Sequence, residues 1–336
     1  MTDIVKKEAR KILAAIKSAN NILLHCHPSP DPDSVGSALA MKFALEQMGK
    51  KATVIRGDSE IPQAFMHFPG ADSIVPKNFF EVDLKEFDLF IIQDTGDISR
   101  VSRIAEVKIP KSMPTIAIDH HDSTQPFGTT VNLIEPSYPS TAAILFDLFK
   151  LWKITLTPEI AANLFIGTYT DTGGFKYEKT KPEIFLMAEE LTSIYPQFSS
   201  LILTMENGST PDEIKLLGLA FSNIKTFFDG RFALATISLA DLESHGLSSA
   251  TANTSRATSM MRSVKEWLIA CTCIEMDSGR TKASFRSADS EKFDVSKLAV
   301  ALGGGGHKAA AGAVLTMPLD KAIEKIVQTA KEIYNL

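Results

Sequence analysis

Residues 21–48 read NILLHCHPSPDPDSVGSALAMKFALEQM. A short apolar run at 21–26 leads into a Pro/Asp/Ser cluster at 27–34, and a helical pattern then covers 35–48 until Gly49 stops it. The order is strand, loop, helix. The same grammar returns at 53–55 (TVI), 88–93 (DLFIIQ) and 115–118 (TIAI), each a short apolar run feeding a polar loop. Continuous runs of this kind suit strands of a parallel sheet buried on both faces. Helical patterns at 1–20, 141–152, 158–169 and 182–195 complete an α/β layer structure, a parallel sheet with helices on both faces.

The pattern stays helical over 197–227, with a break at NGSTPDE (207–213), where Ser or Thr ahead of Pro211 and Glu213 marks a new helix start. Beyond it, 232–239 and 267–276 read as strands, DSGR (277–280) as a hairpin turn, 281–286 as its return arm and 318–334 as a final helix. The chain of 336 residues therefore divides into a first domain at 1–190, a helical linker at 191–227 and a smaller α+β domain with a mixed sheet at 228–336. Two domains also follow from length, at roughly 150 residues each.

Composition narrows the function classes. Hydrophobic residues at 44% and charged residues at 22% describe an ordinary globular protein and exclude disordered, collagen-like and disulfide-scaffold chains. The 35 Lys and Arg against 40 Asp and Glu leave a net charge of −5, which excludes a general basic surface for long nucleic acid; any phosphate site must be local. Three cysteines, Cys26, Cys271 and Cys273, give neither a disulfide framework nor a four-ligand zinc spacing, and fit a reducing compartment. The first 20 residues do not read as a signal peptide, and no apolar run approaches the roughly 20 residues of a membrane span. The expectation is a cytoplasmic chain with no membrane partner.

Four clusters carry chemistry. His27, Asp31 and Asp33 occupy the first loop; alone they would be turn formers, and Asp33 stands where an N-cap would. Asp94 follows the apolar run in IIQDTGDISR, with Asp97 and Arg100 behind it. Asp119, His120 and His121 follow TIAI, and adjacent imidazoles beside a carboxylate are harder to explain as loop chemistry. Asp171, in TYTDTGGF, closes an apolar helix ahead of Gly173 and Gly174. All four fall in one domain, at the kind of place where open α/β sheets put their ligands. Asp31, Asp33, Asp94 and Asp171 together would be four like charges, which two divalent ions offset. Mixed carboxylate and imidazole ligation suits Mn²⁺ or a related first-row ion better than Ca²⁺ or a Cys-based zinc site. The pattern is that of a dinuclear metal hydrolase. His25 and Cys26 read as core of the first strand, and Cys271 and Cys273, two apart, as buried hydrophobes on one strand face. His67 and His245 stand outside every cluster.

With those residues in place, the sequence resembles the DHH phosphoesterases. HPSPDPDSVGS, IIQDTGD, IDHHD and TYTDTGGF are similar to that family's four signatures, in order, over about residues 20–180. One departure is Pro32, where the family usually has Gly, so a stiffer first loop is expected. SFRS (284–287) and LGGGGHKAAAG (302–312) resemble the DHH-associated domain of nano-RNases and 3′-phosphoadenosine 5′-phosphate phosphatases, which extends the likeness to nearly the whole chain. Apolar segments flank the glycine run, so its glycines read as letting backbone N–H groups approach an anion; a tight packed turn without a ligand is the other reading.

The resemblance implies two divalent ions, Mn²⁺ first with Mg²⁺ or Co²⁺ as substitutes. His27, Asp31, Asp94 and Asp171 would hold one, and Asp33, Asp94, His120 and Asp171 the other, with a bridging hydroxide between ions about 3.5 to 4 Å apart. His121 would face the scissile phosphate and Asp119 would orient the imidazoles. Arg286, Gly303, Gly304, Gly305, Gly306 and His307 would bind the rest of the nucleotide. The implied activity releases nucleoside 5′-monophosphates from short oligonucleotides and dephosphorylates 3′-phosphoadenosine 5′-phosphate; a homodimer stays open. So do a cyclic or linear dinucleotide phosphodiesterase with the same ligands, a family II pyrophosphatase, against which the GGGGH segment argues, and a non-catalytic nucleotide-binding module, which would have to lack ligands this chain keeps.

Overall fold

The computed structural model describes residues 1–121, 130–207, 209–249 and 252–336. The chain divides into two compact units, Met1–Gly208 and Ser209–Leu336. Among the described residues no helix is long and apolar enough to cross a membrane.

The first unit is built on five parallel strands: β1 (Asn21–His25), β2 (Lys51–Ile55), β3 (Leu89–Gln93), β4 (Thr115–Asp119) and β5 (Val131–Ile134), in the order β2-β1-β3-β4-β5. Alternation along each strand feeds two cores. Ile22, Leu24, Leu89, Ile91, Ile116 and Ile118 pack under α1 (Asp3–Ser18), α2 (Pro32–Gln47), α3 (Thr141–Trp152), α4 (Pro158–Asp171), α5 (Pro182–Ile194) and α6 (Phe198–Glu206). Leu23, Ile55, Phe90 and Ile92 face the other way, where Phe79, Val101, Val107 and Met113 close over them from loops and single-turn 3₁₀ segments. The α-helices, expected on both faces, thus lie on one, and loops with short 3₁₀ turns cover the other. The chain leaves β1 toward β2 on one side and then returns to build β3, β4 and β5 on the other. This places the topological switch point, and the crevice it opens, at the carboxyl ends of β1 and β3.

The second unit has a six-stranded mixed sheet. Its strands are β6 (Ile224–Phe227), β7 (Phe232–Ile237), β8 (Ile269–Asp277), β9 (Arg280–Ser287), β10 (Gly305–His307) and β11 (Ala310–Leu315), in the order β10-β11-β9-β8-β7-β6. Only β7 and β8 pair in parallel. One face packs Phe232, Cys271, Cys273 and Phe285 against α10 (Val295–Ala301) and α11 (Leu319–Tyr334). The opposite face packs Ala233, Ala235 and Ala270 against α7 (Pro211–Ser222), α8 (Leu239–Ser244) and α9 (Ser255–Met261).

Several expectations change in detail. The first loop's helix begins at Pro32, not at 35, because Asp31 and not Asp33 is the N-cap: its carboxylate accepts the Ser34 N–H at 2.9 Å. Pro32 occupies the first helical position, where its fixed φ is already helical and its missing N–H is not needed. The helix expected to run to 227 ends at Ser222. Residues 224–227 form a strand instead, folded back onto β7 through Phe228, Asp229 and Gly230, all with positive φ (56°, 55° and 83°). The stretch expected as a linker, 191–227, is shared between the units, with Leu201 of α6 in the first core and Leu216 and Leu219 of α7 in the second. The strands β5, β10 and β11 and the short helices α8, α9 and α10 carry too little periodicity to be read from sequence.

Candidate functional site

The crevice at the switch point is where the first, second and third sequence clusters meet, and α4 brings the fourth. His27 and Asp31 follow β1, Asp33 lies in the first turn of α2, and Asp94 follows β3. Asp119 ends β4, ahead of His120 and His121, and Asp171 is the last residue of α4. Three overlapping groups offer ligand atoms within 4.8 Å of one another: His27, Asp31 and Asp94; Asp33, His120 and Asp171; and Asp94, Asp119, His120 and His121.

Asp94 stands between the first two. Its Oδ2 is 3.4 Å from His27 Nε2 and its Oδ1 is 3.5 Å from His120 Nε2. His27 Nε2 also meets Asp31 Oδ2 at 3.1 Å, and His120 Nε2 meets Asp171 Oδ2 at 3.1 Å and Asp33 Oδ2 at 3.9 Å. The Asp94 backbone sits at φ 59°, in the left-handed region that Asp and Asn reach more readily than other side chains.

The backbone fixes the rest. Asp33 is completely buried and accepts N–H groups from Thr141 (2.6 Å) and Ala142 (3.0 Å), the open N-terminus of α3. The Thr141 hydroxyl also donates to Asp94 Oδ1 at 3.2 Å. Gly167 of α4 makes room: a Cβ there would lie 2.8 Å from Asp33 Oδ1 and 3.1 Å from Ala142 Cβ. Asp119 accepts the N–H groups of Gly96 (2.9 Å) and His120 (2.8 Å) and binds His121 Nδ1 at 2.6 Å, so the Nε2 of His121 is the ring nitrogen left to act. Thr141, Ala142 and Gly167 were not among the expected site residues. The only trace of them in the sequence was PST before an apolar helix, which reads as an ordinary helix start.

The electrostatics ask for a cation. Burial pushes Asp33 well above the usual carboxylate range, with Asp94 and Asp171 adding to it. Burial also raises Asp171, against the pull of His120. Burial disfavours the charged ring of His27, but Asp31 and Asp94 outweigh it and lift that imidazole to about 10; Asp171 and Asp94 likewise lift His120 to about 11. The imidazoles supply part of the positive charge the carboxylates need, but Asp33 and Asp171 stay raised beside His120. Yet both ring nitrogens of buried His120 lack an aligned hydrogen bond, although carboxylate oxygens surround Nε2. A nitrogen and several oxygens converging on one point without hydrogen-bond alignment fit a metal ion, and the cluster can hold one.

The remaining expected residues lie in the second unit. Arg286 on β9 pairs with Ala310 on β11, which pairs with His307 on β10, so all three side chains share one face of the sheet, with a methyl between the two large groups. Arg286 is held by Ser259 Oγ (3.3 Å) and its neighbour's carbonyl (3.0 Å), while burial and the nearby Arg262 lower its pKa. Arg262 is a second cation that its sequence context did not single out. The glycines divide in role. A Cβ at Gly304 would meet the Gly312 oxygen at 2.1 Å and one at Gly306 the Ala311 Cα at 2.5 Å, whereas Gly303 and Gly305 have nothing within 4 Å. Two of the four are therefore required by packing against β11. His25 is buried edge-on to Phe90, pushed down to about 3 by burial, and Cys271 and Cys273 lie buried with their sulfurs 3.7 Å apart.

The DHH family, N-terminal domain, matches residues 21–168, and the DHHA1 domain matches 235–335. The bifunctional oligoribonuclease and PAP phosphatase NrnA of Thermus thermophilus is 28% identical over 327 residues, spanning 96% of this chain and 92% of that protein. Its namesake from Bacillus subtilis is 25% identical over 90% of this chain and 92% of that protein. An exopolyphosphatase-related protein from Bacteroides fragilis shares the fold, with a TM-score of 0.88 at 24% identity over 100% of this chain and 99% of that one.

Proposed function

We propose for this chain, which belongs to the DHH family and carries a DHHA1 domain behind its DHH domain, that it releases nucleoside 5′-monophosphates from very short oligonucleotides and converts 3′-phosphoadenosine 5′-phosphate to AMP. The chain is a hydrolase of the phosphoesterase type. The substrate class is supported by the activities for which the Thermus and Bacillus relatives are named. The placement of Asp94 carries the reading: the two oxygens of one carboxylate are turned toward two different imidazoles. That suits a ligand shared by two ions, with His27, Asp31, Asp94 and Asp171 holding one and Asp33, Asp94, His120 and Asp171 the other. Ions of the Mn²⁺ type, bound there, would supply a water acidic enough to attack at neutral pH and positive charge for the attacked phosphate.

The protein's own groups do the rest. Asp119 holds the Nδ1 proton of His121 and so leaves Nε2, on a side chain one-third exposed, to carry a proton to the departing oxygen. The N-terminus of α3 fixes Asp33, and through Thr141 also Asp94, before substrate arrives. Arg286, with His307 on the same sheet face, takes a phosphate or base of the substrate away from the cleaved bond. Chelation followed by readdition of Mn²⁺ tests this, read on a panel of a linear dinucleotide, a cyclic dinucleotide, 3′-phosphoadenosine 5′-phosphate and pyrophosphate. The linear dinucleotide and 3′-phosphoadenosine 5′-phosphate should lose turnover on chelation and regain it with Mn²⁺. Full turnover in chelator overturns the metal reading, and turnover of the cyclic form or of pyrophosphate alone overturns the substrate reading.

A further inference from the structure

Two cavities of the first unit share lining residues. One, of about 350 Å³, is lined by His120 and Asp171 of the metal cluster together with Pro139, Tyr177, Glu178 and Lys179. The other, of about 220 Å³, lies between α3, α5 and the segment before α3, and Pro139 and Lys179 line it as well. No function described so far uses the second cavity.

Its lining is mixed: the Met1 amino group pairs with Asp147 at 3.5 Å, the Tyr138 hydroxyl donates to the same carboxylate, and the rest is largely apolar. Tyr138, Ile184 and Met187 are nearly buried and, with Phe146, give it an apolar, aromatic floor, while Ser137 and Glu183 stand exposed at its edge. It is smaller than the roughly 300 to 1,000 Å³ of pockets for drug-sized ligands, which suits a single planar ring system. Aromatic and apolar walls bind any base through its π-face, without regard to sequence, and polar edge groups meet its hydrogen-bonding rim. The exposed ammonium of Lys179 sits on the boundary between this cavity and the one beside His120 and Asp171. A nucleotide has the same layout, with an anionic phosphate a short distance from an apolar ring.

We propose that the cavity lined by Tyr138, Phe146 and Met187 is a nucleoside subsite, in which one base of the substrate inserts while Lys179 holds the phosphate attached to it. This rests on the reading of the chain as a phosphoesterase of short oligonucleotides and adds where one nucleoside goes. Phosphate chemistry alone would need only the ions and Lys179. The cavity makes the base a source of affinity and confines recognition to a nucleotide at a time.

The test compares binding of AMP and of ribose 5-phosphate, which has no base, to the Mn²⁺-loaded full chain by titration calorimetry. The wild type should bind AMP about tenfold more tightly, the scale of one stacked base. Ser137→Trp and Glu183→Trp place a ring at the cavity mouth from two different elements and should each bring that ratio close to one. Lys179→Ala should weaken both ligands by a similar factor, roughly tenfold. The subsite is refuted if the wild type does not distinguish the two ligands, if both Trp variants fold and keep the wild-type ratio, or if Lys179→Ala changes neither affinity. Failure of the underlying reading looks different: the wild type would turn over no dinucleotide at all, while the AMP to ribose 5-phosphate ratio would still report on the cavity.

Discussion

In the first unit three carboxylates of the candidate site are buried and clamped; in the second, most of the groups expected to meet substrate lie open on a sheet, with Arg286 half-buried. Asp33, Asp94 and Asp119 are at most 1% exposed, and backbone N–H groups or a threonine hydroxyl hold each one. The β10 residues Gly305, Gly306 and His307 are all exposed, and Arg286 has one weak side-chain partner in Ser259. Buried like charges cost stability unless positive charge joins them, and a cluster of this kind suits bound ions. An exposed histidine costs little, and the half-buried Arg286, whose pKa burial and Arg262 lower, gains from an anion beside it. The contrast sets a clamped cluster suited to the reaction against a sheet face suited to holding a further part of the substrate, and mutations should separate the two.

The largest effect should come from Asp94→Asn. Asn keeps the left-handed backbone at φ 59° that Ala would strain, so the variant removes charge without disturbing the turn. Loss of a carboxylate that faces both imidazoles should lower kcat by more than roughly a thousandfold, the several kcal/mol that two ions contribute. Asp33→Asn removes a group facing one imidazole and should cost less in turnover. It should cost more in stability, because the Asn amide accepts only one of the two α3 N–H groups and turns its NH2 donor toward the other, a change of about 1 to 3 kcal/mol. Turnover and melting temperature measured on both variants check the pair; equal kcat for the two would remove the bridging role from Asp94.

Much of this was legible because parallel strands buried on both faces are written as unbroken apolar runs, and each run ends in a loop at the same edge of the sheet. That is why NILLHC, DLFIIQ and TIAI point to His27, Asp94 and His120 at once. What stayed hidden was local and small. Asp31 displaced Asp33 as the cap because Pro32 could open the helix, a choice between two acidic residues two apart that composition does not decide. The role of Thr141 depends on the N-terminus of α3 pointing at Asp33, a tertiary fact, and the need for Gly167 depends on how closely α4 approaches that carboxylate. In the second unit β10 and β11 are short and rich in Gly and Ala, so period-two alternation had almost no side chains in which to appear.

Arg286→Ala comes next in size. If Arg286 contacts substrate and no ion, the variant should bind Mn²⁺ like the wild type and keep its melting temperature, since the side chain's protein hydrogen bonds are a 3.3 Å contact to Ser259 and one to its neighbour's carbonyl. Loss of a charge-assisted hydrogen bond of about 1.5 to 3 kcal/mol should weaken dinucleotide binding roughly tenfold to a hundredfold. A nitrophenyl phosphate, which reaches only the reaction centre, should be affected much less. Equal losses on both substrates would place Arg286 in the machinery of the reaction or in the fold, and the contrast between the two regions would fail.

The smallest and most discriminating change is in the glycine run. Gly304 and Gly305 are adjacent and both exposed, but a Cβ on Gly304 would stand 2.1 Å from the Gly312 oxygen, whereas one on Gly305 meets nothing within 4 Å. Gly304→Ala must therefore push β11 away and should lose about 1 to 3 kcal/mol of stability by overpacking. Gly305→Ala introduces no clash and needs no left-handed φ, so its stability should stay within about 0.5 kcal/mol of the wild type. Any effect of Gly305→Ala on nucleotide binding then reports the close approach of a ligand to the backbone rather than damage to the sheet. A severalfold loss of dinucleotide affinity with an unchanged melting temperature is the expected result. Wild-type affinity in Gly305→Ala, together with a lowered melting temperature in Gly304→Ala, would mean that packing of the β10–β11 turn explains the run and that only Arg286 and His307 remain as its contact with substrate.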